Sequence, residues 1–297
     1  MMRILVTGAT GFVGRSLVPA LIDAGHDVKA GTRRPERFQG PEGAVPVLID
    51  VDDPATVSAA IEACDAVYFL VHAMADAGDF AMRERAAAET LAASARQAGA
   101  RVVYLGGLGG PDSDKVSEHL RSRHEVGRIL RDGCDTVELR AGMVIGKGST
   151  SFEILRQLVD RLPAMVCPVW VGTRAQVIAL PDVIRYLVAA LALPPGPYDV
   201  GMDEVLTYEQ MMARYARLAG RRRLILKVPF LTPGLSSRWI GLVTDQPASV
   251  ARPLAEGLAA EVLVADGARI RDLVPFEPMG FDAAVRLALA EPSALHT

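Results

Sequence analysis

Apolar residues in this chain come in short unbroken runs, each followed by a stretch where they recur every three or four positions. The runs read as buried strands and the recurrences as amphipathic helices. Arg3–Thr7 is the first predicted strand, and Phe12, Val13, Leu17, Val18, Leu21 and Ile22 mark a helix closed by Ala24-Gly25. His26–Gly31 is predicted as the second strand and Val45–Ile49 as the third, with a helix opened by Asp53-Pro54 and running through Ala63. Ala66–Val71 gives the fourth strand, and Phe80–Ala98 a long helix ended by Gly99. Arg101–Leu105 gives the fifth, Asp114–Arg131 the next helix, and Thr136–Arg140 the sixth strand. Continuous apolar strands alternating with helices predict an α/β fold with a doubly wound parallel sheet.

Beyond Gly142 the alternation loosens. Phe152–Arg161 is predicted as a helix stopped by Pro163, and Pro168–Gly172 and Gln176–Leu180 as short strands. Pro181 starts a helix through Leu193, Pro194-Pro195-Gly196-Pro197 breaks the chain, and Tyr198–Gly201 is a further short strand. Thr207 caps a helix through Ala219-Gly220, and short helices mixed with proline-rich turns follow from Arg221. This divides the chain into a dinucleotide-binding domain over 1–150, to which 176–193 return, and a smaller C-terminal substrate lobe from 151–175 and 194–297.

Composition narrows the possibilities. With 297 residues, 50% of them hydrophobic and 23% charged, the chain can bury a sizeable core. A net charge of −3 gives no reason to expect nucleic acid or an anionic membrane as partner. Cys64, Cys134 and Cys167 are too far apart for a metal-ligand pattern and read as buried small hydrophobes in a reducing compartment. No apolar run approaches the ~20 residues of a spanning helix. Only Met1-Met2 precede the first strand, so no targeting segment is expected and the protein reads as cytoplasmic; a monomer or homodimer is expected.

The first strand runs into Thr7-Gly8-Ala9-Thr10-Gly11-Phe12-Val13-Gly14, three glycines at GxxGxxG spacing, with a helix behind them. In that setting Gly8 allows the tight turn, Gly11 the approach of a pyrophosphate, and Gly14 the close packing of helix on strand. The helix amides then face the anion. A bound dinucleotide is predicted, held in part by Thr10, Phe12 and Val13.

With Val67–His72, Leu139–Gly146 and Ile178–Val183, that turn resembles the short-chain dehydrogenase/reductase superfamily in its extended and atypical branches. Within the superfamily the chain looks most like the atypical nucleotide-binding proteins related to the NmrA-like group and to the complex I accessory subunit. The resemblance implies that Asp50 and Val51 lie by the adenine, and Leu70, Val71 and His72 along the pyrophosphate and ribose. Members that prefer NAD carry an acid at the end of the second strand. Here Thr32 occupies that place and Arg33-Arg34 follow, guanidinium groups suited to a 2′-phosphate. NADP(H) is therefore expected, with NAD(H) as the alternative; the competing reading makes these arginines a solvated loop.

The superfamily's tyrosine, lysine and serine are missing. Their places correspond to His119-Leu120-Arg121-Ser122-Arg123 and Gly106-Gly107. In one reading His119 replaces the tyrosine as acid/base and Arg123, four residues on, orients substrate or cofactor. In the other, both are ordinary charges on a helix that also carries Arg121, His124, Arg128 and Arg131. The glycines at 106–110 either leave room at the nicotinamide face or form a flexible turn. Arg221-Arg222-Arg223 reads as a solvated loop. Phe230, Trp239 and Leu242 form either an apolar lid or the lobe's own core, and Met143 and Trp170 are candidates for the same pocket. The expected function is NADP(H)-dependent reduction of a hydrophobic carbonyl, enone or quinone. The alternatives are a non-catalytic cofactor-binding sensor or assembly factor, and a redox-neutral isomerase or cyclase.

Overall fold

The computed structural model of the protein describes residues 1–71, 80–109, 117–228, 243–246, 257–258, 260–265 and 267–290, excepting the side chains at 170 and 267–269. The first half runs β1 (Arg3–Thr7), α1 (Gly14–Asp23), β2 (Asp27–Thr32), β3 (Ala44–Leu48), α2 (Pro54–Ile61), β4 (Ala66–Phe69), α3 (Phe80–Ala98), β5 (Arg101–Gly107), α4 (Glu118–Gly133) and β6 (Thr136–Ala141). Next come β7 (Val144–Ile145), α5 (Thr150–Arg161), β8 (Ala164–Pro168), β9 (Arg174–Ala175), β10 (Ile178–Ala179) and α6 (Leu180–Ala189). After these follow β11 (Gly196–Val200), β12 (Leu206–Thr207), α7 (Tyr208–Leu218) and β13 (Leu224–Val228), and two last described helices, Gly267–Leu273 and Phe281–Ala290.

Seven strands form one sheet in the order β11-β6-β5-β4-β1-β2-β3, and every pair in it is parallel. The alternation of side chains along each strand explains why it is wound on both faces. Ile4, Val6, Ala66 and Tyr68 join a core with α1 and α6, whereas Leu5, Val67 and Phe69 join another with α2, α3 and α4. The Tyr68 hydroxyl donates to the Leu187 carbonyl at 2.8 Å, pinning α6 to the central strand. A further apolar cluster, including Phe152, Val159, Met165, Met211, Tyr215 and Phe281, joins α5, β8, α7 and the last helix beyond the sheet.

The fold is the Rossmann-like α/β arrangement that the patterning implies, with differences in the second half. Residues 194–201, assigned by sequence to the lobe, instead supply β11, which pairs with β6 in the main sheet. Pro197 is tolerated there because β11 is the outermost strand, where a missing N–H need not be paired. The predicted strand over 168–172 is a 3-10 turn, Val169–Gly172; the strand lies earlier, in β8, and pairs with β13. Of the predicted strand 176–180 only Ile178–Ala179 pairs, with Val144–Ile145, because Leu180 already opens α6.

Candidate functional site

The site forms where the winding direction reverses, between β1 and β4. Thr7 joins the two strand ends: its hydroxyl donates to the Tyr68 carbonyl at 3.0 Å and accepts from the Leu70 amide at 3.1 Å. Gly8 then takes a φ of +66°, open to glycine and strained for other residues. A Cβ built on Gly14 would lie 2.2 Å from the Gly8 carbonyl oxygen and 2.8 Å from the Ala9 Cα, so only glycine lets α1 pack this tightly on the turn. No side chain caps the start of α1, which suits a helix end that meets an anion. The residues present fit a dinucleotide pyrophosphate.

From this turn a cavity of about 1650 Å³ extends along the carboxyl ends of the strands. Gly8, Thr10, Gly11, Phe12, Val13 and Gly14 line it, as do Arg33, Arg34, Asp50, Val51, Leu70 and Val71. Arg33 and Arg34 are exposed at the end of β2, and the Arg34 amide donates to the Thr32 hydroxyl at 3.3 Å. Asp50 anchors the neighbouring turn: its carboxylate accepts from the Asp52 amide at 3.1 Å, and its own amide donates to the Thr56 hydroxyl at 3.0 Å. Asp52 pairs with Arg83, another residue of the cavity wall. His72 lies outside the described residues.

α4 forms the next part of the wall. Ser117 caps it by accepting from the Leu120 amide at 3.3 Å, and it starts at Glu118 rather than near Asp114. His119 and Arg123, one turn apart, both line the cavity and are half-buried. Arg123 donates to the Leu105 carbonyl, and its guanidinium lies 5.5 Å from the centre of the Tyr104 ring. The Tyr104 hydroxyl donates to the Arg123 carbonyl at 3.2 Å, and burial raises its pKa, so it braces α4 rather than titrating. His124 faces β5, with its Nε2 3.1 Å from the Gly107 carbonyl and its buried Nδ1 without a hydrogen-bond partner among the described residues. Burial holds its pKa below the usual imidazole range, against the pull of that carbonyl, with the charges of Arg140 and Arg123 adding to the depression.

The glycines at the end of β5 serve packing more than either sequence reading supposed. A Cβ on Gly107 would lie 2.4 Å from Leu120 Cδ1, and one on Gly106 2.8 Å from Glu138 Oε1. They admit α4 and a buried carboxylate against the strand, and thereby bring His119 and Arg123 to the cavity.

Met143, a candidate for the substrate pocket, lies on the wall of the same cavity. Phe230, Trp239 and Leu242 lie outside the described residues, as does the side chain of Trp170, whose backbone is in the Val169–Gly172 turn. Sequence reasoning missed another wall: Ile154, Leu155, Leu158 and Leu162 from α5 and its end, Val166 from β8, and Tyr208 and Met212 from α7. Their helical spacing was visible in the sequence, but a lining stripe and a core stripe look alike there. Arg221 and Arg223 are engaged rather than merely solvated: Arg221 pairs with Asp160 at 2.9 Å, and Arg223 donates to the Val159 carbonyl at 2.5 Å, near the carboxyl end of α5. Cys64 and Cys167 are buried and Cys134 is half-buried, all without disulfides; burial, with the charge of Glu209 adding to it, pushes the Cys167 thiol up to about 11. Among the described residues no helix is long and apolar enough to cross a membrane.

Comparison with known proteins agrees with this fold. The NAD(P)H-binding family matches residues 8–139. A (4-alkanoyl-5-oxo-2,5-dihydrofuran-3-yl)methyl phosphate reductase of Streptomyces griseus is 34% identical over 229 residues, 73% of this chain and 74% of that protein. The chain is also 28% identical to a Mycobacterium tuberculosis protein over 73% of its own length, a match that spans only 23% of that longer relative. Among solved structures, an NADPH-dependent quinone oxidoreductase of Escherichia coli, determined with NADPH, superposes with a TM-score of 0.76 at 18% identity, covering 95% of this chain and 98% of that one. The Bordetella bronchiseptica enzyme WbmH, determined with NAD+, superposes with a TM-score of 0.72 at 17% identity, covering 98% of each chain.

Proposed function

The chain belongs to the short-chain dehydrogenase/reductase superfamily, in its extended, atypical, NAD(P)H-binding branch, and on that premise we propose that it is an NADP(H)-dependent reductase of a hydrophobic carbonyl, enone or quinone. One observation carries this reading: a single cavity joins the glycine turn to His119 and Arg123 and continues between apolar walls. The reductase activity named for the Streptomyces griseus relative supports it. Arg33 and Arg34, exposed at the end of β2, would hold the 2′-phosphate where an acidic residue would repel it.

Held by the glycine turn and by Arg33 and Arg34, a reduced dinucleotide would supply the hydride for the electrophilic carbon of the substrate. His119 gives a proton to the substrate oxygen as negative charge develops there. Arg123, held in place by the Leu105 carbonyl and the Tyr104 ring, keeps a fixed positive charge on the same side and orients that oxygen. Met143 and the apolar walls exclude water and align the carbon, so positioning supplies part of the rate.

The missing tyrosine, lysine and serine favour a second reading, a protein that binds the cofactor without turning it over. Following NADPH oxidation across alkyl quinones, enones and ketones separates the two. The reductase turns over at least one class, and His119→Ala lowers kcat by about 10²–10⁴. Unchanged turnover in that variant removes His119 from the mechanism. Tight NADPH binding with no turnover anywhere leaves the sensor.

A further inference from the structure

Past Met143 the cavity continues as a limb beyond the cofactor site. Its floor is α5, which begins beside the glycine turn: a Cβ on Gly148 would lie 3.7 Å from both Phe12 and Arg15. Ser149, Thr150 and Ser151 open this wall with hydroxyl groups. Ile154, Leu155, Leu158 and Leu162 continue it at helical spacing. At a rise of 1.5 Å per residue, the stripe from Ser151 to Leu162 is about 16 Å long. Other walls come from Val166 on β8 and Met212 on α7. Val166 is 49% exposed although its neighbours Met165 and Cys167 are buried, so apolar surface is left uncovered along the limb. Beyond Ser151 the described lining carries no charged side chain.

A floor that grades from hydroxyls near the cofactor to aliphatic side chains at the far end suits an amphiphile with its polar, reactive end inward. We propose that this limb receives a flexible alkyl or prenyl chain of the substrate, laid along α5, and that Leu158 and Met212 set the chain length accepted. The proposal rests on the reductase reading for the position of the reactive end, but chain binding can be measured without any reduction. The walls are largely aliphatic, which favours an extended hydrocarbon chain over a stack of rings.

The test uses the whole protein saturated with NADPH and straight-chain n-alkanols of increasing length, which carry no group to be reduced. Affinity is read by displacement of a fluorescent polyene fatty acid. Each methylene that enters the limb strengthens binding about fourfold, until the limb is full and affinity levels off. Leu158→Trp and Met212→Trp move that plateau to shorter chains and leave NADPH affinity unchanged. Val166→Phe, at a half-exposed position that tolerates bulk, does the same if either tryptophan variant fails to fold. An affinity independent of chain length, or a plateau that no folded variant moves, overturns the proposal. Loss of NADPH oxidation with every substrate, alongside an intact chain-length series, instead overturns the reductase reading and leaves the channel standing.

Discussion

Arg33 and Arg34 project from the end of β2 into the cavity with no ion pair among the described residues, so their charge is available to a ligand. A charge-assisted hydrogen bond contributes roughly 1.5–3 kcal/mol. At these exposed positions the pair is expected to contribute about one such bond, so replacing both with alanine weakens NADPH by about tenfold to 150-fold and NADH hardly at all. A binding titration that finds equal losses would remove the phosphate clamp. Gly14→Ala would set a methyl against the Gly8 carbonyl, a backbone atom that cannot swing aside. The expected cost is about 1–3 kcal/mol of stability, read as a lower Tm with weaker dinucleotide binding. His124 predicts a pH effect. Its folded pKa is depressed by burial, so the stability it contributes is present above the ordinary imidazole value, about 6.5, and is lost as pH falls toward the folded one. Between pH 7 and 5, the Tm of the natural protein should fall further than that of His124→Gln. The glycine turn was legible because its roles are backbone roles that spacing encodes. The burial of His124 against β5 was not, since sequence showed one more polar residue on a charged helix.

At the scale of elements, α4 determines how the site is assembled. It lies close to the sheet through Gly127, where a Cβ would stand 2.2 Å from Glu138 Oε1. Glu138 is fully buried on β6 and paired with Arg131 from the same helix. Gly127→Ala is expected to displace that carboxylate from its partner and destabilise the protein by about 3–5 kcal/mol, as when a buried pair is broken. Thermal unfolding measures the loss, and Gly127→Ala with Glu138→Ala should recover part of it. The helix itself was readable from its apolar spacing and from Gly133. Its contact through Gly106, Gly107 and Gly127 was not, because sequence shows that a position is small without showing what fills the space. For the same reason α5 was foreseen as a helix but not as a cavity wall.

For the whole molecule, the alternating runs disclosed the parallel sheet and its winding, since each run pairs with a near neighbour in sequence. The short strand over Tyr198–Gly201 was legible, but its start at Gly196 and its place in the main sheet were not, because Pro197 reads as a break wherever edge and centre cannot be told apart. That strand also governs how safely the chain can be made. Until Gly196–Val200 pairs with Val137–Ala141, β6 is an open margin of the sheet with Arg140 lacking its Asp199 partner, 2.7 Å away in the finished protein. β1–β6 all lie within the first 141 residues, and a sheet of these six has two edges: β3, outermost in the finished protein as well, and the rim at β6, which only β11 covers. A chain truncated after Ala189 is expected to self-associate through that rim, and light scattering during refolding should register it. In the 297-residue chain β11 covers β6 by backbone pairing and becomes the outermost strand itself, where Pro197 presents no amide N–H.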